Sequence, residues 1–246
     1  MKHEDHDVLT SSVDEVTADK WIELESEGEH ITVRAPFVNT SYRGNFRITD
    51  FKPDRLEEFA LPTKSSDEYA ALSDNDESDS ELSGSESGSD AEQNRAYEWR
   101  FALKLEDAEG PELHRKSFWT LVDNQAAQYL TNMDATDLKE DATTRERLRE
   151  TMFLLWGNLE ELKRSILEKR DAAAARARDG QPPDSSYDAL ANTVIRPESI
   201  SNLPFGCCIS EYGVKVPESD GSKADAGLGF RWKRIHRLER TRIVRD

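Results

Sequence analysis

The chain has 246 residues, a hydrophobic content of 36% and a formal net charge of −17. Its length allows one core of ordinary size, and its low mean hydropathy indicates that part of the chain lies outside that core. The negative charge repels phosphate backbones at long range, which argues against general nucleic-acid affinity for the whole chain and restricts any basic surface to a local patch.

The amino-terminal end begins MKHEDHDVL, which is too acidic for a signal peptide. No apolar run in the sequence approaches the length of about 20 residues that spans a bilayer. We therefore expect an intracellular protein with no membrane contact. Residues 1–29 are predicted to be a flexible segment, and residues 30–244 are predicted to form a single domain.

Two strand candidates open the domain. HITVRAPF at 30–37 and NFRITDF at 45–51 both alternate apolar and polar side chains, the second one loosely. Proline cannot donate to a sheet ladder, so Pro36 restricts the first candidate to an edge strand or a lead-in.

An acidic tract follows. Residues 73–92 hold eight acidic residues and seven serines, with no basic or aromatic residue. Such a composition cannot bury enough surface to offset its ordering entropy, so a disordered loop is predicted over residues 62–95. Five serines have an acid three residues downstream, the pattern read by an acid-directed kinase; a plain solvated spacer is the competing interpretation. These serines are Ser73, Ser78, Ser83, Ser87 and Ser89.

The run YEWRFALKLED at 97–107 alternates without a fault and predicts a half-buried strand. The Gly-Pro pair in AEGPE at 108–112 is typical of a turn, and RKSFWTLVD at 115–123 returns as an antiparallel partner. The two runs predict a hairpin.

A helical region begins with NQAAQYL at 124–130, and a longer helix is predicted from about residue 143. Apolar residues spaced four, three, four, three and four apart indicate one buried stripe on that helix. They are Leu148, Met152, Leu155, Leu159, Leu162 and Ile166. Residues 171–190 begin alanine-rich and pass through glycine and prolines, which predicts an exposed connector.

Two strands close the chain, FGCCISEYGVKV and FRWKRIHRLERTRIV. The resulting order is one strand, the acidic loop, two strands, a helix, the connector and two strands. This is the connectivity of an OB-fold, a five-stranded Greek-key barrel that binds oligonucleotides or protein segments. The predicted fold class is therefore mainly β, with a helical insert between the third and fourth strands and a long acidic loop between the first and second.

Cys207 and Cys208 are the two cysteines of the chain. Neighbouring residues on a strand point to opposite faces, so a disulfide between them would need a strained peptide and both are expected to be reduced. A tetrahedral zinc site needs about four ligands, and the five histidines are scattered without metal-binding spacing. No metal or cofactor is expected.

The stretches PFGCCISEYGVKV and WKRIHRLERTRIV, with YEWRFALKLEDAEG, FWTLVDNQAAQYL and RETMFLLWGNL before them, resemble the carboxy-terminal OB domain of the protection-of-telomeres family, in its fungal form. The resemblance covers roughly residues 31–244 without the acidic tract and connector. It implies that the cysteine pair lies in the fourth barrel strand, with one thiol in the core and the other on the outer face.

In that family, amino-terminal OB domains grip the single-stranded telomeric overhang, and the carboxy-terminal domain docks the bridging subunit of shelterin. The resemblance thus implies a nuclear protein of the telomeric region that supports telomere maintenance. With Met1 shortly before the first strand there is no room for the DNA-gripping domains, so we expect a fragment, a truncated product or a stand-alone adaptor. The zinc-ligating cysteine pairs and nuclease-like insertion of animal members have no match here.

Two candidate binding sites follow. Met152, Phe153 and Trp156 would contact a partner helix, although such a stripe more commonly plugs one end of a barrel. In the last strand, Arg231, Trp232, Lys233 and Arg234 combine charge with an aromatic ring, as a site for single-stranded DNA does. The same basic residues would equally suit a solvated strand face or an intramolecular contact with the acidic loop.

Enzyme signatures are missing from the sequence. It contains no G-x-S-x-G, no Gly-rich phosphate loop followed by lysine and no H-E-x-x-H. The abundant carboxylates come mainly from stretches predicted to be disordered or on helix surfaces. We therefore expect a binding protein rather than an enzyme.

Overall fold

The computed structural model describes residues 2–3, 10–26, 29–63, 96–108, 115–179 and 195–244. The acidic tract with its five candidate serines and the second half of the predicted connector lie outside these residues. In chain order the described strands are β1 (Lys2–His3), β2 (Lys20–Ser26), β3 (Glu29–Ala35), β4 (Thr40–Lys52), β5 (Ala60–Pro62), β6 (Tyr97–Trp99), β7 (Phe101–Asp107), β8 (Ser117–Val122), β9 (Phe205–Pro217), β10 (Phe230–Glu239) and β11 (Thr241–Arg242). The described helices are α1 (Val13–Thr17), α2 (Asn124–Thr131), α3 (Ala142–Trp156) and α4 (Leu159–Arg178).

Five strands close into a barrel in the order β10, β8, β7, β4 and β9, and β9 pairs back onto β10. All neighbours are antiparallel except β8 and β10, which run parallel. Helices α2, α3 and α4 lie in the chain between the third and fourth barrel strands. This topology confirms the predicted OB-like barrel with a helical insert.

The first barrel strand, β4, is long enough to serve two partners. Its first half pairs with β9 and its second half with β7. Within the second half, a register shift between Ile48 and Asp50 marks a β-bulge that bends the strand. Gly44 permits the close packing at the inner face, since a Cβ there would lie 2.1 Å from the Phe46 ring. The predicted strand 45–51 lies within β4.

The other early strand candidate, 30–37, forms β3 outside the barrel. It pairs in register with β2, and the two make a separate two-stranded hairpin. Residues 10–26 also correct the expectation of a flexible amino-terminal segment. Helix α1 is capped by a capping box between Ser12 and Glu15, and its Val13 and Val16 are fully buried in the core. Two valines on so short a helix carry little sequence signal.

The predicted single strand 97–107 divides at Arg100. Before it, β6 pairs with β5, and after it, β7 enters the barrel between β4 and β8. The Arg100 N–H donates to the carbonyl of Phe59, at the point where the chain passes from one sheet to the other. The alternation continues across the division, because Trp99, Phe101 and Leu103 are all buried.

The predicted long helix is two helices. The chain turns at Gly157, where φ is +55° and a Cβ would lie 2.8 Å from the carbonyl carbon of Ser201. The stripe residues Leu148, Met152, Leu155 and Leu159 are nonetheless buried in one core. Helix α4 extends to Arg178, so residues 171–178 of the predicted connector are helical.

An aromatic cluster joins the insert to the barrel. The ring centroids of Trp156 and Phe51 lie 4.7 Å apart in a stacked pair, and those of Phe59 and Phe101 lie 4.4 Å apart. Helix α3 therefore contributes to the barrel core through its last turn.

Both cysteines are fully buried. Cys207 belongs to the core cluster, as the resemblance implies. Cys208 lies outside that cluster, and strand β11 covers it: its backbone N–H donates to Thr241 Oγ1 at 3.1 Å. The outward-facing thiol is thus not a surface group. Within the described residues, no helix has the length and apolar character of a membrane span.

Candidate binding surfaces

The structure separates the three residues predicted to contact a partner helix. Met152 and Trp156 have 0% and 1% of their surface exposed, because they fill the core between α3 and the barrel. Phe153 is half exposed, next to the equally exposed Leu154. Met152 and Trp156 are therefore packing residues, which corrects the prediction that they contact a partner helix.

The basic residues of β10 also point in two directions. Residues alternate across the strand, so Trp232 and Arg234 lie on one face while Arg231 and Lys233 lie on the other. Trp232 packs against Phe37, with ring centroids 5.1 Å apart. The four candidates consequently do not form one groove.

Two of the four are already paired with carboxylates. Arg231 Nε lies 2.8 Å from Glu218, and Arg234 Nε lies 3.5 Å from Glu211. Arg234 also donates to the backbone carbonyls of Pro36, Thr17 and Ala18, tying the amino-terminal segment to the barrel. The role of Arg234 is structural, and Lys233 alone remains exposed without a carboxylate partner in the described part of the chain.

Glu211 is the centre of that polar cluster. Its carboxylate, 2% exposed as a residue, accepts hydrogen bonds from the Val38 N–H and the Tyr42 hydroxyl, both at 2.8 Å. Burial, with the hydrogen bond to Glu211, raises the pKa of Tyr42 well above its usual range. Burial also lowers the pKa of His236, against the attraction of Glu211, so this imidazole is neutral at pH 7.

The hairpin of β2 and β3 presents an apolar face to solvent. Cross-strand pairs place Ile22 beside Val33 and Leu24 beside Ile31 on this face. Ile22, Leu24 and Ile31 are 39%, 48% and 44% exposed. Glu29 lies on the same face at the outer end of the hairpin, and alternation turns Glu23 and Glu25 to the opposite face. We call these four apolar residues the hairpin face.

The sequence analysis missed the hairpin face. Residues 20–26, KWIELES, fall within the segment 1–29 that is predicted to be flexible. Its alternation of Ile22 and Leu24 with lysine and glutamates was a usable strand signal. The alternation does not show, however, whether Ile22 and Leu24 face solvent, because that depends on which elements pack against the hairpin in the folded chain.

No group of three or more histidine, cysteine, aspartate or glutamate side chains is placed to hold a metal ion in the ranges that the structure describes. The polar clusters there are ion pairs and hydrogen bonds that join elements of the fold.

Comparison with known proteins identifies no family for this chain. No protein-family model matches this chain, and no curated protein matches it. Among solved structures, a chain in the crystal structure of fission yeast Pot1 and Tpz1 is similar over 96% of this chain and 95% of its own length, with 16% identity and a TM-score of 0.48. At this identity and TM-score the likeness establishes neither a family nor a function.

Proposed function

We propose that this protein is a telomere end-protection protein whose OB-like barrel acts as a docking module, without enzymatic activity, for the bridging subunit of a shelterin complex. The sequence resemblance to the protection-of-telomeres family supports the telomeric assignment. The barrel and helical insert that this resemblance implies agree with the observed topology. Its place of action would be the telomeric region of the nucleus.

Among the described residues no element covers the hairpin face, and this exposure carries the proposal that the module docks a protein. A two-stranded hairpin with no further sheet partner is marginally stable in water, so exposed isoleucine and leucine on it favour a covering partner. The base of the hairpin is anchored, since Ala35 is buried and the Lys20 ammonium lies 5.0 Å from the Tyr42 ring centroid. These contacts fix the base of the hairpin to the barrel.

The charge of the hairpin selects the chemistry of its partner. Glu29 lies beside the hairpin face at its outer end, and the Arg34 guanidinium is turned to the opposite face, where it is paired with Asp19. A complementary segment presents apolar side chains with a lysine or arginine placed to meet Glu29. We assign this segment to the bridging subunit.

Binding of the bridging subunit tests the proposal. The double variant Leu24→Asp, Ile31→Asp should lose that subunit in co-purification and fall at least tenfold in affinity by calorimetry, because charge would enter a desolvated contact. Leu203→Asp is the matched control, since Leu203 is 79% exposed and distant in sequence from the hairpin. Unaltered affinity of the double variant would remove the hairpin face from the proposal, and failure of the unmodified protein to bind any telomeric subunit would end it.

A further inference from the structure

A small hollow lies where the end of helix α2 meets helix α3 and strand β11. Its volume is about 190 Å³. Its lining is polar except for one isoleucine and includes two arginines but no carboxylate. The lining residues are Thr131, Asn132, Arg147, Thr151, Arg242 and Ile243. We call this feature the arginine hollow.

The two arginines of the hollow lack a counter-charge. In the part of the chain that the structure describes, neither the Arg147 nor the Arg242 guanidinium forms an ion pair or a hydrogen bond, and both side chains are exposed. Other arginines are paired with acids, as Arg237 is with Asp123 at 2.7 Å. In a chain with 50 acidic against 33 basic residues, two arginines without a carboxylate around one hollow are an exception.

The arginines are not needed to complete the end of helix α2. Carbonyls in the last turn of a helix need donors from outside the regular pattern, and arginine can supply them. Here the Leu130 carbonyl accepts from the Ile243 N–H at 3.0 Å, and the Gln128 carbonyl accepts from the Asn132 N–H at 2.8 Å. The bond from Ile243 also fixes β11 beside α2, so Arg242 projects from an anchored strand.

Two buried threonines line the inner side of the hollow. The Thr131 hydroxyl donates to the carbonyl of Ala127, and the Thr151 hydroxyl donates to that of Arg147, at 2.8 and 2.7 Å. Their hydrogens are therefore committed to the helices. The donors open to a ligand are the two guanidinium groups and the side-chain amide of Asn132, which is exposed.

The size and charge of the hollow define its ligand. Sites for drug-sized molecules enclose about 300–1,000 Å³, so this hollow accommodates one small group. Two arginines match a phosphomonoester, which carries about −1.5 to −2 charge at pH 7 and three oxygens for their forked donors. A carboxylate brings one charge and two oxygens. A phosphodiester also brings one charge, and it carries a substituent on both sides.

We propose that the arginine hollow binds a phosphorylated serine or threonine side chain of another protein, with the phosphate held by Arg147, Arg242 and the Asn132 amide. The net charge of −17 repels polyanions, including nucleic acids and anionic membranes, at long range. This repulsion favours a single phosphate within an otherwise basic segment.

Fluorescence anisotropy with a short labelled peptide that carries one phosphoserine between lysines tests the proposal. Arg147→Ala and Arg242→Ala should each weaken binding about 10- to 150-fold, the range expected for loss of a hydrogen bond between charged groups. Arg147→Lys should restore only part of the affinity, because lysine lacks the forked donors. Binding should also weaken below about pH 6, where the phosphate loses its second charge.

Lys104→Ala is the matched control. Lys104 lies opposite Trp119 on the outer face of the barrel, where Lys52 Nζ lies 5.4 Å from the centroid of the Trp119 ring and Lys233 lines the same hollow as Lys52. In the described residues, these three lysines have no carboxylate within ion-pair distance. Lys104→Ala thus removes an equally unpaired charge away from the arginine hollow and should leave the affinity for the phosphopeptide unchanged.

Equal affinity for the phosphorylated and unphosphorylated peptide overturns the proposal, as does unchanged affinity in both arginine-to-alanine variants. Inorganic phosphate that binds as tightly as the phosphopeptide would identify a site for free phosphate, and tighter binding of a 5′-phosphorylated DNA strand would identify a nucleic-acid site; either result overturns it too. The Leu24→Asp, Ile31→Asp variant should bind the phosphopeptide normally, so the test is independent of docking through the hairpin face.

Discussion

At the scale of single residues, Glu211 unites three parts of the chain. Its two oxygens accept from Val38 and Tyr42, which precede and begin the first barrel strand, and Arg234 approaches it from the last. A buried carboxylate is costly unless hydrogen bonds and a cation compensate it, and here both are present. The cluster joins the first, fourth and last barrel strands at one end of the barrel.

Glu211→Gln should lower the free energy of unfolding by about 2–4 kcal/mol, because it leaves Arg234 without its counter-charge. Breaking a buried ion pair usually costs about 3–5 kcal/mol. The upper part of that range is not expected here, since the Arg234 side chain retains 17% exposure. Urea denaturation followed by tryptophan fluorescence measures the change. Tyr42→Phe removes one hydrogen bond to a buried carboxylate and should cost about 1.5–3 kcal/mol. A loss below 0.5 kcal/mol for Glu211→Gln, roughly the scatter of surface changes, would contradict this account.

At the scale of elements, the chain changes direction where a backbone requirement interrupts a regular pattern. The apolar stripe of α3 continues into α4 across Gly157, and the alternation of β6 continues into β7 across Arg100. In both places the hydrophobic periodicity is kept while the axis turns. Periodicity therefore predicted which side chains are buried but not where each element ends.

Gly157→Ala should destabilise the protein by about 2 kcal/mol or more, because φ +55° with ψ −129° is a conformation that L side chains rarely adopt and Ser201 leaves no space for a Cβ. Thermal unfolding followed by circular dichroism measures the effect. Gly221→Ala is the control, with nothing within 4 Å of the added Cβ. Equal midpoints for the two variants would show that the turn at Gly157 tolerates a side chain.

At the scale of the whole molecule, charge is unevenly distributed. The tract at 73–92 contributes eight of the acidic residues behind the net charge of −17, whereas the outer face around Trp119 is locally positive. The net charge of the chain therefore repels phosphates at long range, whereas Lys52, Lys104 and Lys233 attract anions only close to the surface.

Deletion of residues 73–92 should leave the thermal midpoint almost unchanged, because their composition cannot bury enough apolar surface to stabilise a core. The deletion changes the net charge from −17 to −9, since −17 + 8 = −9. Differential scanning calorimetry of the two proteins measures the midpoint. A fall of several degrees would mean that the tract packs against the barrel, as in the interpretation that pairs it with the basic last strand.

The candidate sites were less predictable than the barrel. Met152 belongs to the predicted apolar stripe of a helix, and that stripe faces the core; Trp156, predicted to contact a partner, is buried there too. Trp232 was correctly placed on a basic strand, but on the face opposite Lys233. Residue type and spacing identified the surface chemistry, while the side of each element that meets solvent depended on its neighbours.

The sequence by itself determined the barrel strands, the helical insert and the connectivity, because alternation and helical spacing are local consequences of backbone geometry. Tertiary structure alone decided that Trp119, Lys52, Lys104 and Lys233 share one face, that Met152 and Trp156 are buried, and that β2 and β3 stand outside the barrel. The reason is that strand register and packing join residues far apart in the chain, and no local pattern encodes which of them meet.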